Sequence, residues 1–285
     1  MQGLLLIFVS AVVFSSAGLF VKGVTADSWV ILFWRGLSAA AFTTGYVYWR
    51  GMIRREFVRM GRPGICAGVI GALATAAFIP AFKFTSIANV SLIYASAPFV
   101  CAAIGWYWIG EKPTGKVLAA SGAAFFGVLI IVFGSLSAIN LKGDLLALWM
   151  TLGMATLLCI YRRYPETPAA GPAVLSSLLL APVAWVLGDP SAASVRDLLI
   201  TCLFGLVFAI ASVTLAEGAR RLPSAETALI SALETPLAPV WAYLLFTEIP
   251  SRYTLIGGLV ILIAVFGSQW PSRSRISSSS TSTPG

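Results

Sequence analysis

Apolar stretches of about twenty residues, bounded by charge, proline or glycine, recur along the whole chain. They cover residues 3–22, 28–49, 64–84, 88–109, 116–135, 144–161, 170–188, 197–217, 224–246 and 252–270. A helix rises about 1.5 Å per residue, so some 20 apolar residues cross a hydrocarbon core of about 30 Å. The pattern predicts ten membrane helices joined by short polar loops. Trp29, Trp49, Trp108, Trp185 and Trp270 stand near run ends, where an indole suits the boundary between lipid and water. The longest polar connection is the arginine-rich stretch 50–62, and a Ser/Thr-rich tail, 272–285, is expected to be disordered. The first run has no Lys or Arg before it and outlasts the core of a signal peptide, so a retained helix is expected.

Composition sharpens this reading. Of 285 residues, 58% are hydrophobic and 11% charged, against about 25% charged in a soluble domain. A water-soluble fold this apolar could not cover its own surface, and ten spans leave no room for a sizeable soluble domain. The fold class is an all-α integral membrane protein embedded in a lipid bilayer. The absence of histidine removes Ser-His-Asp and Cys-His catalysis and histidine-bearing zinc sites. Cys66, Cys101, Cys159 and Cys202 form no CxxC pair and are expected as small apolar residues. No enzyme activity, cofactor or metal is expected. An intramembrane protease would need a buried Ser–Lys or Asp–Asp pair, yet no Asp lies mid-run and Lys83 stands near a boundary. A membrane scaffold or receptor is the other non-transport alternative.

The net charge of +8 sits in short loops, which sets orientation and gives no ground for a nucleic-acid partner. With the amino terminus inside, thirteen basic residues fall on the cytoplasmic side and five on the other, with Arg35 within a helix. Both termini are therefore expected in the cytoplasm. The stretch Gly110–Val117 has the spacing of a phosphate-binding loop but lacks the final Ser/Thr and a preceding strand, so no nucleotide is expected.

The chain also repeats itself. Lys83-Phe-Thr-Ser-Ile-Ala-Asn89 followed by Ser91–Tyr94 parallels Arg220-Arg-Leu-Pro-Ser-Ala-Glu226 followed by Ala228–Ser231, 137 residues on. Glu111-Lys-Pro113 matches Glu248-Ile-Pro250 at the same offset, and Pro98 matches Pro236 with a slip of one. Two five-helix repeats are predicted, 3–135 and 143–270. Five is odd, so the second crosses the membrane in the opposite sense. Inverted repeats around a central cavity suit alternating access, and a duplication without it is the plainer alternative.

These residues, with Phe33-Trp34-Arg35, Gly143–Leu148 and Leu233-Glu234 leading to Pro236, resemble the drug/metabolite transporter superfamily in its EamA-type ten-helix branch. The likeness runs over almost all of 3–270 and is greatest to bacterial exporters of aromatic and hydrophobic amino acids. It implies secondary export of small molecules across the inner (plasma) membrane, with protons as a candidate coupling ion. Multidrug and nucleotide-sugar carriers of the same fold are the alternative. The second repeat lacks a counterpart of Arg35, and Thr235 separates Glu234 from Pro236.

Glu234 is the leading candidate site residue. It lies about 15 Å into the ninth run, where an ionisable group should face a polar cavity or be protonated. Thr227, Ser231, Glu234, Ala238 and Trp241 share one helical face. That face is expected to line the cavity, with Glu234 holding a substrate ammonium or a proton. The alternative is a glutamate that bonds broken backbone near Pro236 and Pro239. Ser91, Tyr94 and Pro98, continued by Cys101 and Gly105, form a partner face; each proline can expose a carbonyl to a ligand or act as a plain kink. Phe78 and Phe82, beside Pro80, can stack on an aromatic substrate or face lipid. Arg35 is a candidate for pairing or coupling with Glu234, or can pack or snorkel. Lys83 and Arg220 are expected as interface anchors and Glu111 and Glu248 as structural helix ends, while Gly64 and Gly68 allow close helix approach.

Overall fold

The computed structural model describes residues 2–85, 87–133, 141–247 and 251–269, and all regular structure among them is helical. The expected tail 272–285, the repeat ends 135 and 270, Glu248 and the side chains of Phe82 and Lys83 lie outside the described residues. The first run forms α1 (Gln2–Ser15) and α2 (Ala17–Gly23), and the next two form α3 (Ser28–Trp49) and α4 (Gly61–Phe84). The fourth divides into α5 (Ile87–Tyr94), α6 (Ala97–Ile104) and a π turn over Gly105–Ile109. Single helices follow as α7 (Gly115–Phe133), α8 (Leu141–Arg163), α9 (Ala170–Leu187) and α10 (Val195–Ala219). The ninth run divides into α11 (Ser224–Ser231) and α12 (Glu234–Phe246), and α13 (Arg252–Gln269) is the tenth.

Two boundaries differ from expectation for a local reason. The polar stretch 50–62 is not all loop: a π turn forms over Arg54–Val58 and α4 starts at Gly61. Within that turn Glu56 is buried, and its Oε2 accepts hydrogen bonds from the N–H groups of Ala170 (2.9 Å) and Gly171 (3.4 Å). These amides begin α9 and have no partner inside their own helix. A carboxylate there also meets the positive end of the helix dipole.

The helix contacts trace a closed ring. In order round it stand α1, α10, α3, α9, α4, α8, the α5–α6 span and the α11–α12 span, which returns to α1. The paired α7 and α13 lie outside, against the α5–α6 and α11–α12 spans. Exchanging each span for the one five places on maps this ring onto itself. The α4–α8 contact becomes α10–α1, and α3–α10 becomes α9–α4. Two five-helix repeats related by a pseudo-twofold account for that symmetry. Close approach is permitted by glycine where spans cross: a Cβ on Gly127 would stand 2.8 Å from the Gly257 carbonyl, and one on Gly68 would stand 2.7 Å from Leu175.

Loop contacts sort the connections onto two faces. On one, Gly3 packs on Arg221 and Leu222, Glu56 reaches Ala170, Glu111 pairs with Arg162, and Arg220 donates to the Thr167 carbonyl (2.8 Å). On the other, Asp197 accepts from Thr25 N (3.2 Å) and Oγ1 (2.9 Å), and Thr85 Oγ1 donates to Asp144 (2.8 Å). The arginine-rich connections thus share one face. Arg220, expected as an interface anchor, bonds Glu217 and the Thr167 carbonyl, because its position at the turn before α11 brings it against the α8–α9 loop.

The α7–α13 crossing gives a stability prediction. Gly257→Val should lower the midpoint of thermal unfolding in detergent, by an amount equivalent to about 1–3 kcal/mol. The atoms its Cβ would meet include the backbone of Gly127 and Ile131, which cannot rotate away. Gly122→Ala, where the added Cβ would meet open space, should leave it unchanged or raise it.

Candidate functional site

Of the three spans broken among the described residues, the fourth and the ninth fix the candidate site. Helices α5 and α11 each contain eight residues, Ile87–Tyr94 and Ser224–Ser231, and are 137 positions apart. Their continuations, α6 and α12, begin at Ala97 and Glu234, at the same spacing. The one-residue slip of the prolines therefore leaves the breaks themselves in register. At each break the ladder tightens by one residue: Ser96 N bonds the Ile93 carbonyl and Leu233 N bonds the Ile230 carbonyl, both at 3.1 Å. Pro98 and Pro236 follow at once, each lacking an N–H and crowding the carbonyl four residues back.

Glu234 is the first residue of α12, deep in the bundle yet still partly accessible. Its carboxyl makes no hydrogen bond or ion pair among the described residues. Tyr94 is the last residue of α5 and stands at the other of these two breaks. The residue equivalent to Tyr94 in the second repeat is Ser231, whose Oγ is buried without a hydrogen-bond partner. These three groups stand at or next to these two breaks and are the centre of the candidate site. Pro98 is buried behind them and Ser91 is half-buried one turn before Tyr94.

The remaining candidates do not lie at these breaks. The face drawn through Thr227, Ser231, Glu234, Ala238 and Trp241 assumes one continuous helix, and the break at Ala232–Leu233 interrupts it. Thr227 is fully buried and donates to the Pro223 carbonyl (3.1 Å). The Trp241 indole donates to Ser15 Oγ (2.9 Å), and Ser15 in turn donates to the Val12 carbonyl (2.6 Å), so this tryptophan ties the ninth span to the break between α1 and α2. Phe78 is 43% exposed, more than any of the other candidates. Glu111 pairs with Arg162, which joins the end of the fourth span to the end of the sixth. Cys101 and Cys159 are buried side by side as free thiols, whereas Cys66 is exposed.

Arg35 neither snorkels nor pairs with a carboxylate among the described residues. Its guanidinium lies 4.1 Å from the Phe208 ring centroid and 5.4 Å from that of Phe204, and its Nε is buried without a partner. It borders a small cavity with Thr75, Ser176 and Ser177. Sequence reasoning did not single out these hydroxyls or Phe208. The adjacent serines within the apolar run of α9 were the available signal, but a short polar pair of that kind occurs in many membrane helices.

With this geometry in view the comparisons are specific. The model of the EamA-like transporter family matches residues 1–133 and again residues 141–269. The chain belongs to that family, and is a multi-pass membrane transporter of small solutes. No curated protein matches the sequence. A solved structure titled only "Crystal structure of protein" is similar at 17% identity, with 94% of this chain and 97% of that one covered and a TM-score of 0.81. At that identity the likeness speaks for the fold alone.

Ser231 offers a direct check on the site. A buried hydroxyl without a partner costs folding about 1–3 kcal/mol. Ser231→Ala should therefore leave thermal stability unchanged or raise it, while substrate affinity in a binding assay falls. A loss of stability with unchanged affinity would remove Ser231 from the site.

Proposed function

We propose that this transporter exports small amphiphilic metabolites, foremost aromatic or hydrophobic amino acids, by alternating access. The repeats 3–135 and 143–270 are its two moving halves, in a bacterial inner membrane with both termini in the cytoplasm. The observation that carries the reading is Glu234: an acidic group at a helix break, deep in the ring and without a partner among the described residues. An acid held in such a place is matched by a ligand cation or by a proton. An amino-acid ammonium supplies the first, and a coupling proton occupies the same carboxyl when the substrate has left. Tyr94 and Phe78 provide aromatic surface on which an apolar side chain can stack. The similarity of the helix-2 and helix-9 motifs to amino-acid exporters supports the substrate class. The discontinuous spans support alternating access, since half-helix ends near mid-membrane are where such carriers bind their solutes.

Counterflow in liposomes that contain only the purified protein tests this. Vesicles preloaded with unlabelled phenylalanine should accumulate labelled phenylalanine above empty vesicles, and Glu234→Gln should lose most of that accumulation or its dependence on pH. Normal counterflow by Glu234→Gln at every pH would end the assignment to this residue. Alanine at Phe78 and Tyr94 together should shift preference from aromatic to aliphatic amino acids. Failure of every amino acid in a folded preparation would turn attention to drug-like or sugar-conjugate substrates.

A further inference from the structure

A guanidinium inside a membrane protein needs a counter-ion or a full set of acceptors, because an unpaired buried charge is costly. Arg35 has neither among the described residues. Its Nε has no hydrogen-bond partner, and its close neighbours include the Phe208 and Phe204 rings. The rings cover the face of the cation, whereas its N–H donors lie along the edge. Arg35 borders a cavity also lined by Thr75 of α4, Ser176 and Ser177 of α9 and Phe208 of α10. Four consecutive members of the ring, α10, α3, α9 and α4, converge there, and they can do so only on its inner side. Phe14 of α1, edge-on to Phe208 at 5.7 Å, extends the same wall.

The geometry points to Arg35, with the hydroxyls of Thr75 and Ser176, as the subsite for the carboxylate of the transported molecule. A carboxylate fits the guanidinium fork with two parallel hydrogen bonds, and the hydroxyls can donate to its remaining lone pairs. The cavity is on the scale of a single water. It therefore admits one carboxylate oxygen, and the second oxygen and the aromatic or aliphatic remainder stand in the ring's interior. Seven residues of helix place Arg35 about 10 Å below one face, and ten residues place Glu234 about 15 Å from the other. In a core of about 30 Å the two differ in depth by only about 5 Å. They stand on opposing arcs of the ring and do not neutralise each other. Arg35 thus takes the carboxylate on one side of the ring, and Glu234 on the other side stands as a separate place for a cation or a proton. The subsite deepens the amino-acid reading above, and it makes a cation without a carboxylate a poor substrate.

Ligand-induced thermal stabilisation of the purified full-length protein separates the two ends. The probes are phenylalanine, 3-phenylpropionate, which lacks the ammonium, and 2-phenylethylamine, which lacks the carboxylate. In the wild type all three should bind. Arg35→Gln should weaken phenylpropionate about tenfold or more while sparing phenylethylamine, and Glu234→Gln should do the reverse. Arg35→Lys and Thr75→Val, which keep the charge or the packing, should weaken phenylpropionate by a smaller factor and serve if Arg35→Gln does not fold. Phenylpropionate affinity unchanged by these substitutions, or no binding of any carboxylate by the wild type, would overturn the Arg35 subsite. Phenylalanine counterflow in that second case would leave the transport reading standing. Arg35-dependent binding of phenylpropionate without amino-acid counterflow would keep the subsite and remove the amino-acid substrate.

Discussion

Hydrocarbon offers the backbone no hydrogen-bond partner, so a chain that crosses it must remain helical wherever it touches lipid. Interruptions are tolerated only where protein or a lumen surrounds them. In this transporter the interruptions at Ala95–Ser96 and Ala232–Leu233 fall in the two spans that close one side of an eight-helix ring. Each break is kept short by a single tightened turn, after which a proline prevents the ordinary ladder from resuming. Everything of chemical interest on that side, Glu234, Tyr94 and Ser231, is held at or next to a break.

The same constraint governs charge. On the arginine-rich face the charges meet partners: Glu111 with Arg162, Arg220 and Arg221 with Glu217, Glu56 with the free amides of α9. Inside the ring the two ionisable side chains most deeply placed, Arg35 and Glu234, have none among the described residues. Loops can settle their electrostatics with neighbours and water. A transport site cannot, because groups fully satisfied by protein have nothing left for a substrate. Unfilled valence at these two positions is therefore coherent with a carrier, and the paired faces hold the ring together around it.

How far the sequence reached differs between fold and site. Ten runs, two halves and the 137-residue offset were legible because membrane burial makes hydrophobicity nearly continuous and proline, glycine and charge punctuate it. The single-helix face through Thr227, Ser231, Glu234 and Trp241 was a projection of helical periodicity, and periodicity holds no information about a break. Trp241 reads as cavity lining in projection, yet bonds Ser15 of α1, 226 positions away. The hydroxyls around Arg35 come from α4 and α9, and no local pattern links them to α3.

What the sequence determined by itself is the material of this protein: apolar length for ten crossings, an odd-numbered repeat that must invert, and one acid and one arginine within apolar runs. These are local quantities, fixed by the transfer of each segment from water to lipid. The tertiary structure decided which spans neighbour one another in the ring, that both breaks share one arc, and that Arg35 faces aromatic rings and hydroxyls instead of a carboxylate. Those are consequences of helix packing between residues far apart in the chain. In a solvent that is uniformly apolar, such packing is set by shape and by glycine contacts such as Gly127 on Gly257, and hydropathy does not encode it.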